Sequence, residues 1–148
     1  MCLRNRKTVS IERVEAFKVF KENSYGLKSL FLPSSLCYKT NELVEVDKED
    51  SRFFAFENKK NAIYVARKIR STFDLIVLPV TLIDVTAIGD FFVQSHDVQC
   101  LDGYLKSYES KKIIVHDNKK NRKQFYLDVL SSAFLNNLES KALKELLC

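Results

Sequence analysis

The chain is predicted to fold as an α+β domain, a mixed and mainly antiparallel sheet with one packed helix and a helical C-terminal extension. Three observations predict it. Residues 51–85 run through an aromatic stretch, a basic amphipathic segment and a long apolar stretch, the order strand, helix, strand. Short alternating segments precede that block, and from residue 119 onward the spacing of apolar residues turns helical.

Residues 1–12 read as a basic, weakly ordered lead-in, leaving 13–148 as a single domain. In Glu15–Lys21, Phe17 and Val19 alternate with Lys18 and Phe20, as in a strand. Asn23–Gly26 is a turn in which Gly26 takes the positive φ, and Leu27–Leu32 returns as the second arm of a hairpin. Pro33 ends it, because proline lacks the amide a ladder needs. Leu43–Val46 alternates over too few residues to separate strand from short helix or loop. Arg52–Phe56 is the aromatic strand, and Glu57-Asn58 supplies an N-cap for the helix that follows.

In that helix Ala62, Ile63, Ala66 and Ile69 fall at helical spacing, while Lys59, Lys60, Arg67, Lys68 and Arg70 form the wet side. Phe73–Leu82 is a near-continuous apolar strand, covered on both faces, with an edge or bulge at Pro79. Thr86–Asp90 resembles a turn, Phe91–Val93 a short strand, and Asp102-Gly103 a further turn. Lys111–Val115 is the final strand, closed by His116–Asn118. Residues 119–148 form the helical extension, two helices broken near Asn136-Asn137, with Phe125, Val129, Leu130 and Phe134 on one side.

Composition narrows the function classes. With 3 Gly and 2 Pro in 148 residues, a Gly-rich phosphate loop and a Pro-rich linker are both disfavoured. Lys and Arg exceed Asp and Glu by 24 to 19, an excess that attracts polyanions without identifying one. Cys2, Cys37, Cys100 and Cys148 are scattered and form no CxxC pair, which suits reduced thiols in a cytoplasmic setting. His96 and Cys100 are too few for a structural zinc, and no apolar run approaches the ~20 residues of a membrane span.

The candidate binding residues are basic. Lys119, Lys120, Arg122 and Lys123 precede the aromatic pair Phe125-Tyr126, the charge-plus-ring combination that also suits single-stranded nucleic acid. Arg67 and Arg70 form a second basic surface, and Tyr25, Phe54 and Tyr104 are candidates for lining a pocket. Asp84, Asp90, Asp97 and Asp102 lack the spacing of a calcium loop and read as surface turn acids. Leucines continue to Leu147 and make the C-terminal helix a candidate homodimer interface.

Two resemblances accompany these readings. Ala16-Phe-Lys-Val19, then Arg52-Phe-Phe-Ala-Phe56 with Ala62 downstream, resembles small uncharacterised phage and bacterial domains that carry an F-x-F strand before an alanine-bearing helix. In this chain Ser51-Arg52 replaces the Gly or Cys-Gly usual before the aromatic pair, and the resemblance implies no activity. The same block is similar to the middle of ADP-ribosyltransferase-like folds, which implies an early His or Arg for a dinucleotide and a late glutamate. Neither histidine lies in the first third, and the late acid, Glu109, is not in a Glu-x-Glu context, so that resemblance concerns the scaffold.

The function expected is a non-catalytic binding module, with no cofactor or metal, that docks a protein partner or anionic ligand. Nucleic-acid binding and an ADP-ribosyltransferase-like enzyme are the alternatives.

Overall fold

The structure, a computed structural model, describes residues 4–29, 37–46, 52–68, 74–93 and 103–131. Its elements are β1 (Arg4–Asn23), β2 (Gly26–Ser29), β3 (Cys37–Tyr38), β4 (Leu43–Glu45), β5 (Phe53–Phe56), α1 (Lys59–Lys68), β6 (Asp74–Val93), β7 (Gly103–Ser110), β8 (Lys112–Val115) and α2, residues 119–131. It is an α+β fold, and every strand pairing among the described residues is antiparallel.

Two strands of 20 residues each, β1 and β6, carry the sheet. They pair from Arg4 opposite Asp90 to Glu22 opposite Asp74. The far edge of β6 is shared between β7, opposite Ala87–Val93, and β8, opposite Val80–Ile83. The far edge of β1 takes β2 and, through the single pair Phe17–Phe56, β5. Because β5 also pairs with β7, the strands β1, β6, β7 and β5 close a ring, while β3 and β4 lie at the sheet's two ends.

Strands this long stay in one sheet only by coiling, and extra residues provide the coil. The β1–β6 register slips between Arg4 and Lys7 and again between Thr8 and Ile11, with Asn5 at φ 52°. On β6 the extra residue is Asp84, at φ 51°, where the strand's partner changes from β8 to β7. Asn and Asp tolerate this left-handed conformation better than other side chains.

Two sequence expectations are corrected here. Residues 4–12 are strand rather than a weakly ordered lead-in, and Thr86–Asp90 is strand rather than turn. The first half of β1 is mostly exposed, so the ladder with β6 holds it without the apolar alternation that marks a buried strand. The segment Tyr104–Ser110, to which no element had been assigned, is most of β7. Gly26 does take positive φ, at 118°, in the β1–β2 turn.

Both faces of the β1–β6 pair are covered along the second half of β1. Ala16, Phe20, Ile76, Leu78, Val80 and Leu82 share one face with Ile113 and Val115. There Phe20 meets Tyr38 edge-on at 5.0 Å, and Tyr38 meets Phe53 at 5.6 Å. The opposite face presents Phe17, Val19, Val77 and Pro79 to the helices. Against it α1 buries Ala62, Ile63 and Val65, the small alanine allowing close approach.

One core position is charged by type. Lys18 belongs to the alternation of Ala16 and Phe20, is 6% exposed, and donates its Nζ proton to the Phe54 carbonyl at 2.7 Å. That bond reinforces the β1–β5 seam, which otherwise rests on one registered pair. Burial pushes the ammonium from an ordinary pKa of 10.5 down to about 7. The unfolded chain then binds more protons than the fold between about pH 7 and 10.5, so stability rises with pH across that window. Urea denaturation should show this rise, on the order of a few kcal/mol, and a higher, flatter profile for Lys18→Met. An unchanged slope in the variant would place the dependence elsewhere.

Candidate functional site

Polar groups concentrate where β8 ends and α2 begins, and Pro79 explains why the chain turns there. Residue 79 lies opposite His116, whose amide donates to the Pro79 carbonyl at 3.0 Å. Proline cannot return the second bond of that pair. The His116 carbonyl is instead served by Asn121 Nδ2 at 3.0 Å, from the first turns of α2. Pro79 was expected to mark an edge or bulge; it sits in a central strand at the point where β8 departs.

The helix start is then fixed by three further contacts. Asn118 is the N-cap, its Oδ1 accepting from the Asn121 amide at 2.8 Å. Asn41 holds the preceding residue in a two-way bond, accepting from the Asp117 amide at 3.2 Å and donating to the Asp117 carbonyl at 2.9 Å. Arg122 bridges two carboxylates, bonding Glu22 on β1 through both terminal nitrogens and Asp117 through Nε at 2.6 Å. These hydrogen bonds to Asp117 and Glu22 hold its guanidinium well above its usual pKa.

One rung from Phe17 and Pro79, on the same sheet face, lie Glu15 and Thr81. Thr81 is fully buried and its Oγ1 is 2.7 Å from both Glu15 Oε2 and His116 Nε2. Partial burial pushes the Glu15 carboxyl up, but hydrogen bonds from Thr81 and Arg13 and the charges of Arg13 and His116 outweigh it and leave its pKa lowered. Glu15 is therefore ionised at neutral pH and can only accept. The single Thr81 proton goes to it, so His116 Nε2 must carry its own proton and donate to Thr81. The free lone pair of neutral His116 is then on Nδ1.

Beneath α2 a cavity of about 70 Å³ opens between the two helices and the sheet. Phe17, Ile63, Val77, Pro79 and Phe125 make its apolar lining. Lys59, Asn121, Gln124 and Asp128 complete it, with Lys59 Nζ 3.0 Å from Asp128 Oδ2.

The residues singled out from sequence divide sharply. Lys119, Lys120 and Lys123 are exposed and make no ion pair among the described residues, whereas Arg122 is engaged inside the molecule. Tyr126, Leu127 and Leu130 are half or more exposed beside those lysines, and Leu130 does not share the buried side with Phe125 as its spacing had suggested. Arg67 lies on α1, while Arg70 and the C-terminal leucines fall outside the described residues.

Tyr25, 83% exposed at the hairpin tip, lines neither described cavity; Phe54 lines a small one of about 20 Å³ with Val19, Phe56 and Phe91. Tyr104 lies on β7. Asp84 pairs with Lys112, and Asp90 accepts from Asn5, so each has a local partner. Glu109, the candidate late acid, is buried with Arg6 Nε at 3.0 Å and Arg52 Nε at 3.6 Å, an ion cluster joining β1, β7 and the approach to β5.

Sequence reading missed Glu15, Thr81, Lys59 and Asp128 as members of a site. Their signal was the registration of β1 on β6 and of α2 on α1, which single-chain periodicity does not contain. No helix among the described residues is long and apolar enough to cross a membrane. No family model, curated protein or solved structure matches the chain.

Two measurements test this geometry. Arg122→Met should cost about 1–3 kcal/mol by leaving Glu22 and Asp117 without their cation, against about 0.5 kcal/mol or less for Lys123→Met, read from denaturation midpoints. Nitrogen-15 shifts of neutral His116 should place the proton on Nε2, and Thr81→Val should let the two tautomers mix. A proton found on Nδ1 in the native protein would contradict the relay.

Proposed function

We propose that the protein is a non-catalytic binding module that docks an acidic protein partner through the outer face of α2. One observation carries the reading: Lys119, Lys120 and Lys123 are exposed and have no acidic partner among the described residues, beside the exposed Tyr126, Leu127 and Leu130. Internal acids neutralise Arg122, so it anchors the helix while the lysines face outward. Cations gathered in the first turn of a helix oppose its dipole, and an anionic partner relieves that conflict.

The neighbouring aliphatic side chains favour a protein surface over a run of bases, since Tyr126 is the one exposed ring on the described part of α2. Such a role suits a microbial or viral accessory protein of the cytoplasm, in keeping with the scattered cysteines.

An amphipathic peptide carrying Glu and Leu, and a single-stranded oligonucleotide of equal charge, are the probes. The peptide should bind more tightly, weaken with salt, and lose at least about tenfold in affinity to the protein carrying Lys119→Glu, Lys120→Glu and Lys123→Glu. Leu127→Ser should weaken the peptide and spare the oligonucleotide. Tighter binding of the oligonucleotide would transfer the face to nucleic acid, and failure of both probes would refute a docking role.

A further inference from the structure

Two parts of the chain answer each other across the Phe17–Pro79 rung of the β1–β6 ladder. On the outer edge of β1, Phe17 meets Phe56 at the end of β5; on the outer edge of β6, the Pro79 carbonyl accepts from the His116 amide just past β8. Each shorter strand then passes an acid, Glu57 or Asp117, and enters its helix through the same four residues, Asn-Lys-Lys-Asn, at 58–61 and 118–121. Asn58 and Asn118 cap those first turns, each Oδ1 accepting at 2.8 Å from the Lys60 and Asn121 amides respectively. The units β1–β5–α1 and β6–β8–α2 therefore correspond about a local two-fold. One residue on from Phe17 and from Pro79, Lys18 stands in the place of Val80.

The correspondence fails at one seam. β8 stays with β6 for four registered pairs, Val80–Ile83, whereas β5 leaves β1 after Phe17–Phe56 because β2 occupies the edge from Phe20. At that split, where the other unit has the fully buried Val80, Lys18 spans the gap to the Phe54 carbonyl at 2.7 Å. We propose that this seam is a proton-controlled latch: β5 parts from β1 at Lys18 while the other strand pairings stay formed. Among the described residues the parting breaks only the Phe17–Phe56 rung and the Lys18 bond, since β5 keeps its four pairs with β7. Lys18 shares its sheet face with Ala16, Phe20 and Leu78, with the phenols of Tyr38 and Tyr108, and with Glu22, which Arg122 holds. Burial alone lowers its pKa to about 7, and no charged neighbour contributes. Parting returns the amine to water and to its ordinary value of 10.5. Between about pH 7 and 10.5 a falling pH therefore favours the parted form, and a rising pH closes it.

The test is trace acetylation of the whole chain with acetic anhydride, which reacts with neutral amines, read at Lys18 by mass spectrometry against an N-acetyl-lysine amide standard. Parting becomes rarer as pH rises while the parted amine becomes more reactive, so the Lys18 rate should change by no more than about threefold between pH 7 and 9. The standard should gain roughly tenfold per pH unit. Lys18 should also react at least about tenfold faster than the unfolded fraction from urea denaturation allows. Phe17→Cys with Phe56→Cys, opposite each other across the seam, should on oxidation slow Lys18 at least about tenfold relative to the reduced form. Acetylation no faster than global unfolding permits, a rate that climbs with the standard, or equal rates in the oxidised and reduced forms would overturn the latch. The first two comparisons use the native chain and decide the matter if the double variant does not fold.

Discussion

The antiparallel pairing of β1 with β6 is the constraint on which the remaining structure depends. Alone, a 20-residue ribbon is a poor object: two strands bury little and coil strongly. Here each long strand lends its second edge to shorter partners, β2 and β5 on β1, β7 and β8 on β6. The extra residues between Arg4 and Lys7 and between Thr8 and Ile11, together with the left-handed Asp84 on β6, bend the ribbon. Without that bend β5 could not reach both β1 and β7, and the ring would stay open. The two buried faces follow, one filled by aromatic and branched side chains from the strands, the other covered by α1 and α2.

How far this was legible depends on where each element's stability lies. The aromatic strand, the Asn58-capped helix and the apolar first half of β6 were readable because local propensity and burial agree in them. The first half of β1 was not: its residues are largely exposed, and the ladder with β6 decides its state. Thr86–Asp90 looked like a turn because Gly89 and Asp90 are breakers locally; pairing with Ser107 and Lys106 overrides them. The ring closure could not be read at all, since it rests on Phe17 meeting Phe56, a relation between segments rather than a property of either.

Site residues show the same division in terms of charge. Five consecutive positions, Lys119 to Lys123, read as one basic cluster with a single asparagine. In three dimensions Arg122 turns inward to Glu22 and Asp117, Asn121 completes the ladder that Pro79 interrupts, and the lysines alone remain outside. Helical geometry spreads neighbours by about 100° each, so a run in sequence is never one surface. Which members turn inward depends on acids 100 and 5 residues away, and no local rule supplies that information.

The contrast between Arg122 and Lys18 shows why the division falls as it does. Arginine's planar fork satisfies two carboxylates together and stays charged while partly buried. Lysine has a point charge and a pKa that burial moves readily, so Lys18 can occupy a core position with only a carbonyl for company. Exchanging the two would fail at both places: a lysine at 122 could not bridge Glu22 and Asp117 in the same bidentate manner, and a guanidinium at 18 could not shed its proton inside the core. The basic residues of this chain are therefore not a pool of interchangeable charge. One arginine fastens α2 to β1, one lysine closes the β5 seam, and Lys119, Lys120 and Lys123 stay exposed with no ion pair among the described residues.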